Sequence, residues 1–207
     1  MEEVTIAGRL EAFSDGVFAV AITLLVLDLK VPRAAELPEG KGLLSALLKQ
    51  WPAYLAYIIS FAFILIMWVN HHEIFRRVKR SDHYLLLLNG LLLMGVCLVP
   101  FSTSLLAEYI QKHDQHTAAA IYSGAYVLIA IFFNLLWRYA AHEDRLLDRD
   151  EDPRFVRQLS RQYSFGPLLY LVSFILAFIN VPACLALNFG LAVLFALPTS
   201  EPGASTR

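Results

Sequence analysis

The sequence predicts an all-α integral membrane protein with six transmembrane helices, and three observations carry that prediction. Of 207 residues, 57% are apolar and only 17% charged, against about 25% charged in an ordinary soluble domain. Four stretches lack any charged residue or histidine: Gln50 to Asn70 and Thr117 to Trp137 at 21 residues each, Tyr84 to Ala107 at 24, and Gln162 to Ser200 at 39. About 20 helical residues cross a hydrocarbon core roughly 30 Å thick, so each stretch is long enough to span. The basic residues, finally, alternate from one loop to the next as a six-span chain requires.

The elements follow in order within one membrane domain over residues 1–200. A first helix is expected over 9–31; Glu2, Glu3 and Glu11 make the N-terminus acidic where a secretory signal would be basic, so this segment reads as retained. The second helix is expected over 43–79, the third over 82–110 and the fourth over 117–142. The segment His142 to Arg161 mixes acids with arginines, the pattern of a solvated connector or short surface helix. The last apolar stretch holds two helices, 162–179 and 182–198. Asn180-Val181-Pro182 separates them, because asparagine tolerates a turn and proline suits a helix's first turn. Residues 201–207 read as a flexible tail.

With the N-terminus inside, Arg9, the Arg76 to Arg80 cluster, the arginines from Arg138 to Arg161 and Arg207 all lie on the cytoplasmic side, twelve in total. Only Lys30, Arg33, Lys41, Lys49 and Lys112 lie outside. The excess of Lys and Arg marks the cytoplasmic face, so both termini are expected there. The partner this implies is the lipid bilayer. A net charge of -1 gives no general attraction for nucleic acid, and the Arg76 to Arg80 run reads as a topology determinant. Cys97 and Cys184 fall in apolar runs and read as small buried hydrophobes. His113 and His116, at i and i+3, lack an evident third ligand, so neither a metal nor a cofactor is expected. The few polar groups within the spans form no recognisable catalytic set, which argues against an enzyme.

The first helix is built differently from the others. Only 12 uncharged residues separate Asp15 from Asp28, a rise of about 18 Å. Carboxylates at membrane depth cost at least about 2.5 kcal/mol each, so they turn towards protein or a wet cavity. This helix is therefore expected at the centre, ringed by longer and more apolar helices. At 100° per residue, Phe13, Gly16, Val20, Thr23, Leu24 and Leu27 share one broad face, while Asp15, Ala19, Ile22 and Val26 lie towards another.

The run from Arg9 to Leu27, RLEAFSDGVFAVAITLLVL, resembles the first-helix signature of the transmembrane protein 175 family. Every fixed position of the core R-x-x-x-F-S-D is present, and Pro100-Phe101-Ser102-Thr103 in the third span is also similar to that family. The resemblance implies a potassium-permeable cation channel of the prokaryotic plasma membrane. A chain with one six-helix repeat would work as a homotetramer, the first helices lining a central pore. It further implies an apolar constriction at Val20, Leu24 and Leu27, with Thr23 offering a pore-side hydroxyl. Arg9, Phe13, Ser14 and Asp15 would form a structural network with a histidine of the second helix, either His71 or His72, with His71 favoured. An apolar ring limits size and wetting but cannot replace hydration oxygens as a carbonyl filter does. With no T-V-G-Y-G-like loop in the sequence, the expected preference for potassium over sodium is modest. The alternative is a proton leak or proton-coupled transporter using Asp15 and the second-helix histidine.

Overall fold

The computed structural model describes residues 6–33, 42–142, 146–147 and 153–196. Among them lie seven helices: α1 (Ile6–Leu24), α2 (Leu43–Lys49), α3 (Trp51–Arg77), α4 (His83–Tyr109), α5 (Gln115–Ala141), α6 (Pro153–Ala177) and α7 (Val181–Ala196). Helix α1 tightens into a 3-10 turn over Leu25–Asp28 before the chain extends at Leu29. Four segments are long and apolar enough to cross a membrane: Ala7–Asp28, Trp51–Arg77, His83–Tyr109 and Gln115–Ala141. Helix α7 is apolar but shorter, and the first part of α6 carries Arg154, Arg157 and Arg161.

Several helix bounds differ from the sequence reading, each for a local reason. The helix expected over 43–79 breaks at Gln50 into α2 and α3. Pro52 has no N–H to donate backwards and is placed in the first turn of α3, where none is needed. The helix expected over 162–179 starts at Pro153, nine residues earlier, because the arginines that ended the apolar window do not end the helix. The break between α6 and α7 is made by Asn180, whose side-chain oxygen accepts from the Ala183 N–H at 2.9 Å. Asp82 caps α4 likewise, accepting from Leu85 N–H at 2.9 Å, and its other oxygen accepts from the Tyr139 hydroxyl of α5. The expected tail lies outside the described residues.

The bundle has two neighbourhoods. Helices α4, α5 and α6 pack along most of their length, and α7 closes on α3, α5 and α6. Gly95 of α4 allows the closest approach, since a Cβ there would sit 2.9 Å from Ile129 of α5. Buried aromatic rings fill this side: Phe63 lies 4.3 Å from Tyr126, and Trp137 donates its indole N–H to Ser160 at 2.8 Å. Helix α1 stands apart, packed on α3 and α4 at the edge of the bundle. It is not ringed by the longer helices within one chain, contrary to the expectation above.

The connector after α5 is more than a solvated loop. Leu146 and Leu147 are buried, Leu147 bridges to Val78, and the Leu146 carbonyl accepts from Lys79 N–H at 2.9 Å. That clamp fastens the ends of α3 and α5 together. Of the cysteines, Cys97 is exposed on α4 rather than buried. Cys184 is buried, but among polar groups, 3.1 Å from the Ser123 hydroxyl.

Candidate functional site

Helix α1 buries one stripe and leaves the other open. Ala7, Leu10, Ser14, Phe18, Ala21 and Leu25 recur every three or four residues and are buried against α3 and α4. The opposite stripe faces nothing in the protomer: Phe13 is 64% exposed, Val20 57%, Leu24 42% and Leu27 73%. Gly16 and Thr23 are exposed on the same side, and a Cβ built on Gly16 meets nothing within 4 Å. The Thr23 hydroxyl donates to the Val20 carbonyl at 2.9 Å. Its proton is thus used inside the helix, and its oxygen lone pairs are left on the open side.

The buried stripe is fixed by two sets of polar ties. The first is fully buried: the Asn89 amide of α4 donates to the Ser14 hydroxyl at 2.9 Å, and its carbonyl oxygen lies 2.9 Å from His71 Nε2. Ser14 in turn donates to the Leu10 carbonyl at 2.9 Å. Each of the three side chains sits on a different helix, so the triad sets α1, α3 and α4 against one another. Phe75 stacks on the His71 ring at a centroid distance of 4.3 Å, and Phe18 meets it tilted at 5.3 Å. The second set lies nearer the surface. Trp68 donates its indole N–H to Asp15 at 2.8 Å, and His72 pairs with Glu11 at 2.8 Å. These two ties are one turn apart on both helices, as two antiparallel helices in register require.

The structure therefore brings Ser14 and His71 together, but only through Asn89, which the sequence reading did not single out. A lone asparagine within a leucine run was the available signal, since a polar amide at membrane depth needs partners. The choice between the two histidines resolves into two jobs, His71 in the buried triad and His72 on Glu11. Asp15 is tied to Trp68 rather than to Ser14 or His71. Arg9 and Phe13 do not join the network within one chain: Phe13 is exposed, and Arg9 is exposed with no hydrogen bond or ion pair to the described residues.

At the far end of α1, Asp28 accepts from the Ser104 hydroxyl of α4 at 2.8 Å and borders a cleft of about 580 Å³. Lys30, Lys49 and Glu108 also line it. His113 and His116 are not a pair: His116 Nδ1 lies 2.7 Å from the Ala177 carbonyl, whereas His113 is exposed beside Asp114. Among the described residues no group of three or more His, Cys, Asp or Glu side chains is placed to hold a metal.

Comparison with known proteins places this geometry. Residues 9–100 match the family model described as endosomal/lysosomal potassium channel TMEM175. A potassium channel of Chamaesiphon minutus is 55% identical over 92% of this chain and 93% of its own length. A potassium channel of Streptomyces collinus is 44% identical over 96% of this chain and 98% of its own. Among solved structures, a lysosomal potassium-selective channel TMEM175 homolog from Chamaesiphon minutus superposes with a TM-score of 0.83 at 52% identity. That likeness covers 92% of this chain and 96% of the other.

Proposed function

The chain belongs to the TMEM175 potassium channel family, and we propose that it conducts potassium as a homotetramer whose central path is lined by the open face of α1. The observation that carries this reading is the open stripe itself. Uncovered aliphatics also occur on α3 to α7, where lipid can cover them; what sets α1 apart is that its open stripe lies on a span bounded by Asp15 and Asp28, whose carboxylates suit a protein-lined or wet surface rather than lipid. Four copies around a closed axis complete a path that one chain cannot enclose.

In this reading Val20, Leu24 and Leu27 form successive apolar rings that pass ions only when wetted, and Thr23 presents its oxygen to a partly dehydrated cation. Valine at position 20 is smaller than leucine and leaves more room at its ring than a leucine there would. The ties of Ser14 and Asp15 hold the helix in rotation so that these four side chains stay aimed at the axis. Arg9, Phe13 and the tetramer contacts complete the network around that end. The basic ends of α3, α5 and α6 mark the cytoplasmic side of a prokaryotic plasma membrane, with α6 and α7 counted as the fifth and sixth spans and both termini inside. No resident cofactor is required; potassium is the permeant ion. The proton reading is less supported by the geometry, because Asp15 and His71 bond to different partners rather than to each other.

The test is cation flux into liposomes containing purified protein, with potassium, sodium and protons compared. Val20→Ala, Thr23→Val, Leu24→Ala and Leu27→Ala are expected to change flux or ion preference without loss of assembly. If all four assemble and conduct as the wild type does, the open face of α1 does not line the path.

A further inference from the structure

Helices α5 and α6 pack side by side along most of their length, and the face they turn outwards changes character at one level. On α5 that face runs from Arg138 through Leu135, Ile131 and Leu128, three or four residues apart and all exposed. On α6 it runs from Arg157 and Arg161 to Leu168 and Val172, again all exposed and, at 100° per residue, on one side of the helix. Arg138 and Arg161 are the charges at which the apolar stretches Thr117 to Trp137 and Gln162 to Ser200 end. Both helices therefore pass from guanidinium to hydrocarbon at the edge of the membrane.

The two stripes are tied together at Ser164. Arg138 donates to its hydroxyl at 3.2 Å, and that hydroxyl donates to the Ser160 carbonyl at 2.7 Å. Ser164 and Arg161 are neighbours on α6 at i and i+3, and Arg157 and Arg161 at i and i+4. Three guanidiniums from two helices are thus gathered on one surface, and none of them makes an ion pair with the described residues. At the end of α3, by contrast, Arg76 and Arg77 share Glu73. Like charges one turn apart repel, and an anion set among them turns that repulsion into attraction. A guanidinium matches phosphate oxygens with two parallel N–H donors.

The apolar part of the surface selects an anion that carries tails. From Arg138 to Leu128 is ten residues, a rise of about 15 Å, or half of a hydrocarbon core about 30 Å thick. That is the depth the acyl chains of one leaflet reach. We propose that the outward seam of α5 and α6 binds an anionic phospholipid, its phosphate held among Arg138, Arg157 and Arg161 and its chains laid along Leu135, Ile131 and Leu168. The site is separate from α1 and requires only that the chain spans a bilayer, not that it conducts.

Native mass spectrometry of the purified assembly in detergent tests it, with phosphatidylglycerol and phosphatidylcholine of the same chains titrated separately. Phosphatidylglycerol is expected to bind one site per chain more tightly than phosphatidylcholine, and glycerol 1-phosphate, which has the head without the tails, is not expected to displace it. An arginine beside an anionic headgroup is worth about fivefold in affinity, so Arg157→Gln and Arg161→Gln should each weaken phosphatidylglycerol about fivefold and together about twenty-fivefold. Lys49→Gln, at the other end of the bundle, should leave it unchanged. The comparison of lipids and the displacement use the wild type, so they decide even if a variant fails to assemble. Equal affinity for the two lipids, displacement by glycerol 1-phosphate, unchanged binding in an assembled double variant, or an equal loss in Lys49→Gln overturns the proposal.

Discussion

Replacing Asn89 with alanine should be among the most damaging single truncations near α1, although Asn89 is on α4 and touches no part of the open face. The side chain makes two hydrogen bonds, to Ser14 and to His71, and all three groups are fully buried. Side-chain hydrogen bonds within membrane bundles average about 0.6 kcal/mol and reach about 1.7, so two of them account for about 1–3 kcal/mol. Alanine also strands His71 Nε2, whose ring partner Nδ1 already has no hydrogen bond among the described residues. A stranded buried polar group adds about 1–3 kcal/mol. The expected loss is therefore about 2–6 kcal/mol. Ser14→Ala removes one of the two bonds and strands the buried Asn89 amide N–H but leaves the Asn89–His71 bond intact, so it should cost about 2–5 kcal/mol, less than Asn89→Ala by one hydrogen bond. Unfolding by SDS titration in mixed micelles measures both. If Asn89→Ala falls within about 0.5 kcal/mol of the wild type, or Ser14→Ala costs more than Asn89→Ala, the triad does not anchor α1 as argued.

Other perturbations test the remaining joints by the same titration. Asp82→Ala should destabilise by about 1–2 kcal/mol through loss of the α4 cap, and Asp82→Asn should recover most of it because asparagine caps as well. Trp68→Phe keeps the ring but drops the bond to Asp15 and should cost about 1 kcal/mol; combined with Asp15→Ala it should add almost nothing further, and full additivity would show that the two do not interact. Leu147→Ala should cost about 2–4 kcal/mol as a buried truncation and speed limited proteolysis within the connector; unchanged cleavage would mean the clamp under α3 and α5 is dispensable. Gly95→Leu drives a side chain into Ile129 and should cost about 1–3 kcal/mol by overpacking, whereas an exposed control at Gly90 should not.

Helices α3, α4 and α5 were legible in the sequence because hydrocarbon imposes a simple length test, and the windows between charges there met it. Their ends were less so. Pro52 and the arginines at the start of α6 were read through charge spacing alone, which is blind to a proline opening a new helix and to a helix continuing past the membrane surface. The 3.6-residue period put Phe13, Gly16, Val20, Thr23, Leu24 and Leu27 on one face of α1, but that this face would stay open was an expectation of the family resemblance and not of the numbering. The anchors on the buried stripe depend on which neighbour faces it. Asn89 lies 75 residues from Ser14, and nothing local to either residue indicates the pairing. Leu146 and Leu147 were hidden for a different reason: two leucines among alternating charges barely alter a window average, yet they are what the chain buries there.

The division of the bundle at the turn between α4 and α5 has a consequence for how the chain can change. Helix α1 and the two helices that hold it are written in the first 109 residues, and the family model's match of 9–100 falls wholly inside that half. Helices α5 to α7 form the other half, joined by the short turn of 110–114, by the broad seam of α4 on α5, and by the contacts of α3 with α7 and with the Leu146–Leu147 clamp. Among the described residues α1 packs on α3 and α4, so the effect of a substitution in the second half reaches α1 chiefly through one of these packed helices.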